Sequence, residues 1–383
     1  MYNYIPLEQA ADILDSYRKP VNSKERLNLI KGKPLDELFP YYGATGQVGW
    51  IDSFLTDGEY ILLGEDGAPF LNPYAEKAYI IYGKTWVNNH AHILRSKTNN
   101  EFLCYYLNYF NYKNYVSGTT RLKLTQAQMR KIPIPNIPSD GQSRIVASIE
   151  ELFSELDKAV DTLKTTKEQL EVYRQTILVD AFRAATNSTY LKVGCVCAKI
   201  VDCPHSTPKW EKSGKLCLRT TNFKRGYLDL QSPNYVSEET FHDRNRRIIP
   251  QPGDVLYSRE GSVLGIACTI PSNVYPCLGQ RMMLLRSGEK LNNRYLMHYL
   301  NSPMVTNHVI ATKGGTGSPH INVGDIKEFQ IPIPSLEEQS NIVRQIEEQL
   351  SSCDNVEKTV DTALAQADAM RQSILKQAFE GTM

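Results

Sequence analysis

Two long blocks of this 383-residue chain repeat each other. The run Ile132-Pro133-Ile134-Pro135, a short loop with Gln142-Ser143, and an apolar-periodic stretch ending Arg174-Gln175-Thr176-Ile177-Leu178 and Ala181-Phe182 returns about 197 residues later. The second copy reads Ile331-Pro332-Ile333-Pro334, Gln339-Ser340, then Arg371-Gln372-Ser373-Ile374-Leu375 and Ala378-Phe379. Solenoid units repeat every 20–50 residues or so, far below this period. The repeat therefore means two duplicated domains, each followed by its own helix, and a molecule built to contact something in two places.

Both periodic stretches read as coiled-coil seams. In the first, Ile145, Ile149, Leu152, Leu156, Ala159, Leu163, Thr166, Leu170, Tyr173, Ile177 and Ala181 follow a 4-3-4-3 spacing. In the second, Ile342, Ile346, Cys353, Val356, Val360, Ala363, Ala367, Met370, Ile374 and Ala378 do the same, with Gln349 as the polar intruder. A 3.5-residue apolar period held over several heptads predicts a narrow seam rather than the broad stripe of a globular helix. No Pro or Gly breaks either run after its opening turn. About 43 residues at 1.5 Å rise make a rod of roughly 65 Å. Two matching seams in one chain are expected to face each other.

The halves before each helix also match. Tyr60-Ile61-Leu62-Leu63-Gly64-Glu65-Asp66-Gly67-Ala68 aligns with Asp254-Val255-Leu256-Tyr257-Ser258-Arg259-Glu260-Gly261-Ser262, and Val87 to Arg95 aligns with Leu278 to Arg286. Tyr106-Leu107-Asn108 returns as Tyr299-Leu300-Asn301, and Gly118-Thr119-Thr120 is echoed by Gly315-Thr316-Gly317. Short apolar, β-prone runs at Tyr60 to Leu63, Ala78 to Tyr82, Val255 to Tyr257 and Met282 to Leu285 are punctuated by Gly, Asn and Pro. Short helices are expected near Glu101–Asn108 and Arg294–Asn301. The expected fold class is α+β: two duplicated domains (1–138 and 188–334) joined by two long helices (139–187 and 335–383) whose seams face each other as a coiled coil.

No apolar run approaches 18 residues and no signal-peptide pattern is present, so a cytoplasmic chain is expected. The eight cysteines read as reduced, buried thiols. Cys195, Cys197, Cys203 and His205 are residue types that zinc accepts, but their spacing matches no common structural site, so no metal is expected. The net charge of +1 hides an asymmetry: residues 188–330 carry +7, 1–138 carry +2, and the helical segments 139–187 and 335–383 carry −3 and −5. Basic globular units on acidic helices suit domains that approach phosphate and rods that do not.

Catalytic motifs fail on inspection. Gly83-Lys84-Thr85 imitates the end of a P-loop, but Ala78 stands where its first glycine belongs. Asn72-Pro73-Tyr74 imitates the target-base loop of adenine methyltransferases but lacks the second proline, and no glycine-rich cofactor strand precedes it. Glu65-Asp66 aligns with Arg259-Glu260, an acid-for-base exchange that a duplicated catalytic site would not tolerate. No Ser/His/Asp or Cys/His arrangement recurs in both halves. No catalytic residue is expected, and the chain reads as a binder.

The Ile-Pro-Ile-Pro block leading into a long helix, twice, after two different domains, resembles the DNA-specificity subunits of type I restriction–modification enzymes. The segment Asp254 to Ser262 and Trp86-Val87-Asn88-Asn89-His90 add to the likeness, which covers essentially the whole chain. The resemblance implies two target-recognition domains that each read one half of a split DNA sequence. It also implies that the two helices form an antiparallel coiled coil, which sets the separation of the halves and docks two modification (adenine methyltransferase) subunits. S-adenosylmethionine is then expected in those partners and no cofactor in this chain; restriction (nuclease/translocase) subunits are left open.

Duplex symmetry suits such a design, because an antiparallel helix pair relates two domains by an approximate two-fold axis, as DNA relates its strands. Domains of different sequence predict different half-sites. Amide and guanidinium groups suit bidentate base readout, Asn or Gln to adenine and Arg to guanine. That nominates Thr45, Gln47, Asn88, Asn89, His90, Arg121 and Lys123 in the first domain. In the second it nominates His205, Ser206, Thr207, Lys209, Arg219, Thr220, Arg259, Gln280, Arg281, Lys313, Gly314, Gly315, Thr316, Gly317 and Ser318. Glycine-rich turns at 118 and 314–317 permit close backbone approach to phosphate. The rival readings are a protein-binding adaptor, which the basic second domain argues against, and a fused methyltransferase or nuclease, for which no cofactor motif speaks.

Overall fold

The computed structural model describes residues 3–185, 188–312 and 319–381. The chain divides into two compact units, 1–164 with 360–383, and 165–359. Each unit thus joins one globular part to one half of each long helix.

In the first unit a four-stranded antiparallel sheet runs in the order Ala11–Ile13, Ala91–Ser96, Tyr60–Gly64, Ala78–Ile81. Beside it in sequence lies a mixed sheet ordered Gly46–Ile51, Phe39–Gly43, Lys84–Val87, Thr56–Asp57, in which Tyr41 and Tyr42 pair in parallel with Trp86 and Val87. The second unit repeats both features. Its antiparallel sheet runs Cys197–Asp202, Met282–Ser287, Val255–Ser258, Ala267–Thr269, and Lys215–Leu218 pairs in parallel with Cys277–Leu278. The helices expected after the strands are Asn100–Tyr109 and Asn293–Asn301. Both start at an asparagine cap, Asn99 or Asn292, whose side chain takes an orphan N–H of the first turn.

The repeated motifs are joints between these parts. Pro133–Pro135 of the first Ile-Pro block pairs with Tyr4–Pro6, and Gln330–Ile333 of the second pairs with Thr189–Lys192. Proline lacks an N–H, so such ladders stay short and two-stranded. Their spare carbonyls are taken by tyrosine hydroxyls of the domain helices: Tyr106 donates to Pro133 O at 2.7 Å, Tyr295 to Pro332 O at 2.9 Å. Asn108 and Asn301 each bind both backbone polar groups of a strand residue, Ala78 or Ala267. Gln142 and Gln339, both buried, tie the start of each long helix to its domain. Gln339 donates to Lys290 O and Pro334 O and accepts from Asn292 N, all within 2.9 Å. Gln142 donates to Ile137 O and accepts from Thr98.

The long helices span Ser139–Ala184 and Leu336–Glu380. Within each unit their segments run antiparallel. In the second, Arg174 reaches Asp354 at 2.7 Å and Glu357 at 2.9 Å. In the first, Arg371 pairs with Asp157 and lies over the Phe153 ring. Arg174 and Arg371 are repeat equivalents, as are Asp354 and Asp157, so the same cross-helix pair occurs once in each unit. The end of each helix drives a phenylalanine into a domain core: Phe182 packs edge-on against Tyr295 and Tyr299, and Phe379 against Phe102 and Tyr106. Phe379 therefore closes the first domain with the last turn of the second long helix.

The seam differs from the expected one at several positions. Ile149, Leu156 and Ile177 are buried as expected, but Leu152, Ala159 and Tyr173 are exposed. Their places are taken by the following residues, Phe153, Val160 and Arg174. In the second helix half-buried Leu350 and Glu357 replace exposed Gln349 and Val356 on the inner stripe, so Gln349 is exposed rather than an intruder. Val343 is buried beside half-buried Ile342, and Ala363 and Leu364 are both half-buried. Both readings keep a 3.5-residue period. The inner one includes Lys167, Arg174, Glu357 and Arg371, whose charges are matched across the pair, so a purely apolar criterion selects the neighbouring stripe instead.

Candidate nucleic-acid interface

Parallel pairing places the nominated loops together. In the first unit Tyr42 lies opposite Val87, so the turn after Gly43, with Thr45 and Gln47 exposed, stands beside Asn88, Asn89 and His90. In the second, Leu218 lies opposite Leu278, which brings Arg219 and Thr220 beside Gly279, Gln280 and Arg281. A central strand of the antiparallel sheet ends at the same place: Glu65 N donates to His90 O, and Arg259 N to Arg281 O. A fourth segment completes each cluster through isolated bridges, Asp66 with Lys123 and Glu260 with His320. Four chain segments thus meet at equivalent points in both units.

The side chains there form ion-pair clusters of inverted charge. In the first unit the acids are central. Glu65 pairs with Arg18 and, at 3.2 Å, with Lys123; Asp66 holds His90 at 2.7 Å and Arg121 at 2.6 Å. Below them Asp15 accepts from fully buried His92 at 2.8 Å and from Gln126 at 2.7 Å. Burial pushes the Asp15 carboxyl up, but hydrogen bonds from His92, Gln126 and Ile93 N outweigh it and hold it below its ordinary value. In the second unit the base is central. Arg259, buried, forks onto Asp202 at 2.8 and 3.1 Å and reaches Glu260 at 2.9 Å, and Asp202 holds His205 at 3.1 Å. The acid-for-base exchange at 65 and 259 is one buttress built with either polarity.

This sorts the nominated residues. Asn88 is buried and its side chain accepts from His90 N, so it shapes the loop that presents Asn89 and His90. Arg259 is likewise enclosed, its guanidinium spent on Asp202 and Glu260. Gln280 donates to His205 O at 2.7 Å and accepts from Thr207, which joins two loops. Exposed positions are Thr45, Gln47, Asn89, Arg121, Lys123, His205, Ser206, Thr207, Lys209, Arg219 and Arg281. Arg219 lies over the Trp210 ring at 5.4 Å. Arg281 adopts φ +64°, a left-handed backbone that is uncommon outside glycine. Lys313 to Ser318 lie outside the described residues. In the first unit Gly118, at φ +99°, closes the hairpin that carries Arg121 and Lys123; a Cβ there would meet Arg121 O at 2.4 Å, so its role is the turn itself. An open concavity of about 620 Å³ lined by Asn22, Arg26, Tyr41, Asn88, Asn89 and His90 flanks this loop. Cys197 and Cys203 bracket one strand, about 20 Å apart at 3.3 Å per residue, and so cannot share a metal ion.

Sequence reasoning missed Arg18, Asp15, Asp202 and Arg244, which support the loops rather than protrude from them. Nothing in composition or spacing marks a surface-type residue that the fold buries.

The model of the type I restriction modification DNA specificity domain matches residues 9–172 and 205–365. The chain belongs to that family. A Haemophilus influenzae protein described as a type I restriction enzyme specificity subunit is 28% identical over 88% of this chain and 85% of its own length. The EcoKI specificity subunit of Escherichia coli is 24% identical over 74% of this chain, which spans 65% of that relative. Among solved structures, a chain from a study of complex assembly in a type I R-M system superimposes with a TM-score of 0.70 at 18% identity, covering 99% of this chain and 97% of its own. The HsdS subunit of Thermoanaerobacter tengcongensis gives 0.52 at 20% identity, covering 100% and 97%. These last two bear on fold alone. Among the described residues no helix is long and apolar enough to cross a membrane.

Proposed function

We propose that this specificity-family chain binds duplex DNA through both units, each reading its own half of an asymmetric bipartite target. The observation that carries the reading is the duplicated four-segment cluster whose framework is shared and whose exposed side chains differ. A shared framework gives both units the same mode of approach, and different side chains give different base preferences. In the first unit Thr45, Gln47, Asn89, His90, Arg121 and Lys123 face the DNA. In the second, His205, Ser206, Thr207, Lys209, Arg219, Thr220 and Arg281 do, and Lys313 to Ser318 are included on their sequence alone. The long helices position two methyltransferase subunits, which carry S-adenosylmethionine and perform the chemistry; nuclease subunits join the same assembly where the system restricts. The chain contributes recognition only.

A salt titration of binding tests this. Neutralising Z phosphates gives a log–log slope of roughly −0.9Z, so a steep negative slope is expected, with cognate duplex retained at salt that releases random DNA. Absence of affinity, or affinity indifferent to salt, indicates a protein-binding adaptor. S-adenosylmethionine bound by the isolated chain indicates a fused enzyme.

A further inference from the structure

Arg244 ends the short helix Glu238–Arg244 and is buried, at 6% exposure. Every hydrogen bond recorded for its guanidinium goes to a backbone carbonyl. Nε donates to Leu278 O at 2.6 Å, Nη2 to Gly279 O at 2.9 Å and Pro204 O at 3.3 Å, and both Nη1 and Nη2 to Ser206 O at 3.2 Å. Burying a cation costs free energy that carbonyl dipoles offset only when the donors are well placed. Arginine alone supplies five donors in a rigid planar fork. The carbonyls belong to the 204–206 loop and to 278–279, where the strand Cys277–Leu278 passes into the next loop, two segments distant in sequence. Those loops carry His205, Ser206, Gln280 and Arg281. Above the fork, Gln280 ties the same loops by donating to His205 O.

The first unit joins its equivalent loops differently. There Lys19 N donates to Val87 O at 3.0 Å and Trp86 Nε1 to Lys19 O at 2.8 Å. Backbone and indole do what the buried guanidinium does in the second unit.

We propose that Arg244 is a positioning residue for DNA specificity: it locks loops 204–206 and 278–279 into one surface and so sets base discrimination at one half-site only. This rests on the bipartite reading above. Arg244→Lys keeps the charge and cannot bridge both loops; Arg244→Met removes the charge at similar volume. Each full-length variant, assembled with its methyltransferase partner, is assayed on two duplex libraries, one randomised in each half-site, after melting and circular dichroism have confirmed folding. The expected result for Arg244→Lys is a loss of discrimination of about tenfold or more at one half-site, with the other unchanged and the salt slope of binding unaltered. A slope reduced by about one in the charge-removing Arg244→Met variant identifies a phosphate contact and overturns the proposal. So does an equal loss at both half-sites, which indicates general destabilisation, or no loss at either. If Arg244→Met fails to fold, the Lys variant decides alone. A wild-type assembly with no split preference overturns the bipartite reading itself, and this proposal with it; a normal wild type with an indifferent variant overturns only the role of Arg244.

Discussion

Gln280 and Arg281 occupy one loop, and their polar heads are used differently. The Gln280 amide is engaged within the protein by His205 O and Thr207, whereas Arg281 is exposed at the rim. Arg281→Ala is therefore expected to cost about 1–3 kcal/mol at a single base position of one half-site, the loss of one bidentate contact. Gln280→Ala should instead loosen the loop and blur several positions of that half-site. Base-by-base methylation profiles of the two variants separate these outcomes, and loss of both half-sites by a folded Arg281→Ala would remove it from the readout. In the first unit, Asp15 is ionised with a pKa held below its ordinary 3.8 by His92, Gln126 and a backbone N–H. A depressed carboxyl contributes stability that is present above that ordinary value and is lost as pH falls through the folded pKa. Asp15→Asn is expected to lower stability at neutral pH by about 1–3 kcal/mol and to flatten acid unfolding below about pH 4, by denaturant melts at several pH values. An acid limb as steep as wild type would contradict it.

Among the elements, the long helices illustrate what pattern alone conveys. The 3.5-residue period and the facing of two seams follow from the sequence, as do the strands at Tyr60, Ala78, Val255 and Met282. The antiparallel direction comes from the family resemblance. Which of two adjacent stripes faces inward does not follow from the sequence, because charged Lys167, Arg174, Glu357 and Arg371 interrupt the inner stripe. Arg174 and Arg371 enter the seam because Asp354 and Asp157 stand opposite, a pairing visible once both helices of the coil are in place. Leu350→Ala should accordingly cost about 1–3 kcal/mol, below the full range for a completely buried leucine because it is half-buried. Gln349→Ala should stay within about 0.5 kcal/mol. The reverse order in thermal melts would restore the apolar stripe. At the joints, the repeated Gln-Ser motif reads as loop from sequence, and its glutamines prove to be buried clamps at the helix starts while its serines are exposed. Gln339→Leu strands Asn292 N and two carbonyls, at about 1–3 kcal/mol for each group left unsatisfied. The site was legible in its loops and residue types, and illegible in its buttresses, since Arg244, Arg259 and Asn88 are polar residues that the fold takes inside.

For the whole molecule, two readers of different sequence carried by one helix pair imply a target with two fixed, unlike halves and a fixed gap. If the helices set that gap, inserting four residues near Lys164–Lys167 lengthens one by about 6 Å, nearly two base pairs, with a local stutter in the coil and some loss of activity. The measurement that bears most directly on the account is a map of N6-methyladenine made by this chain, with its methyltransferase partner, on random-sequence DNA. The account predicts one split motif, with two dissimilar specified blocks, an unspecified spacer of constant length, and methylation on both strands. Exchange of residues 188–334 for another family member's domain should rewrite one block and leave the other. A continuous motif, or one whose two blocks both change with that exchange, would contradict the account.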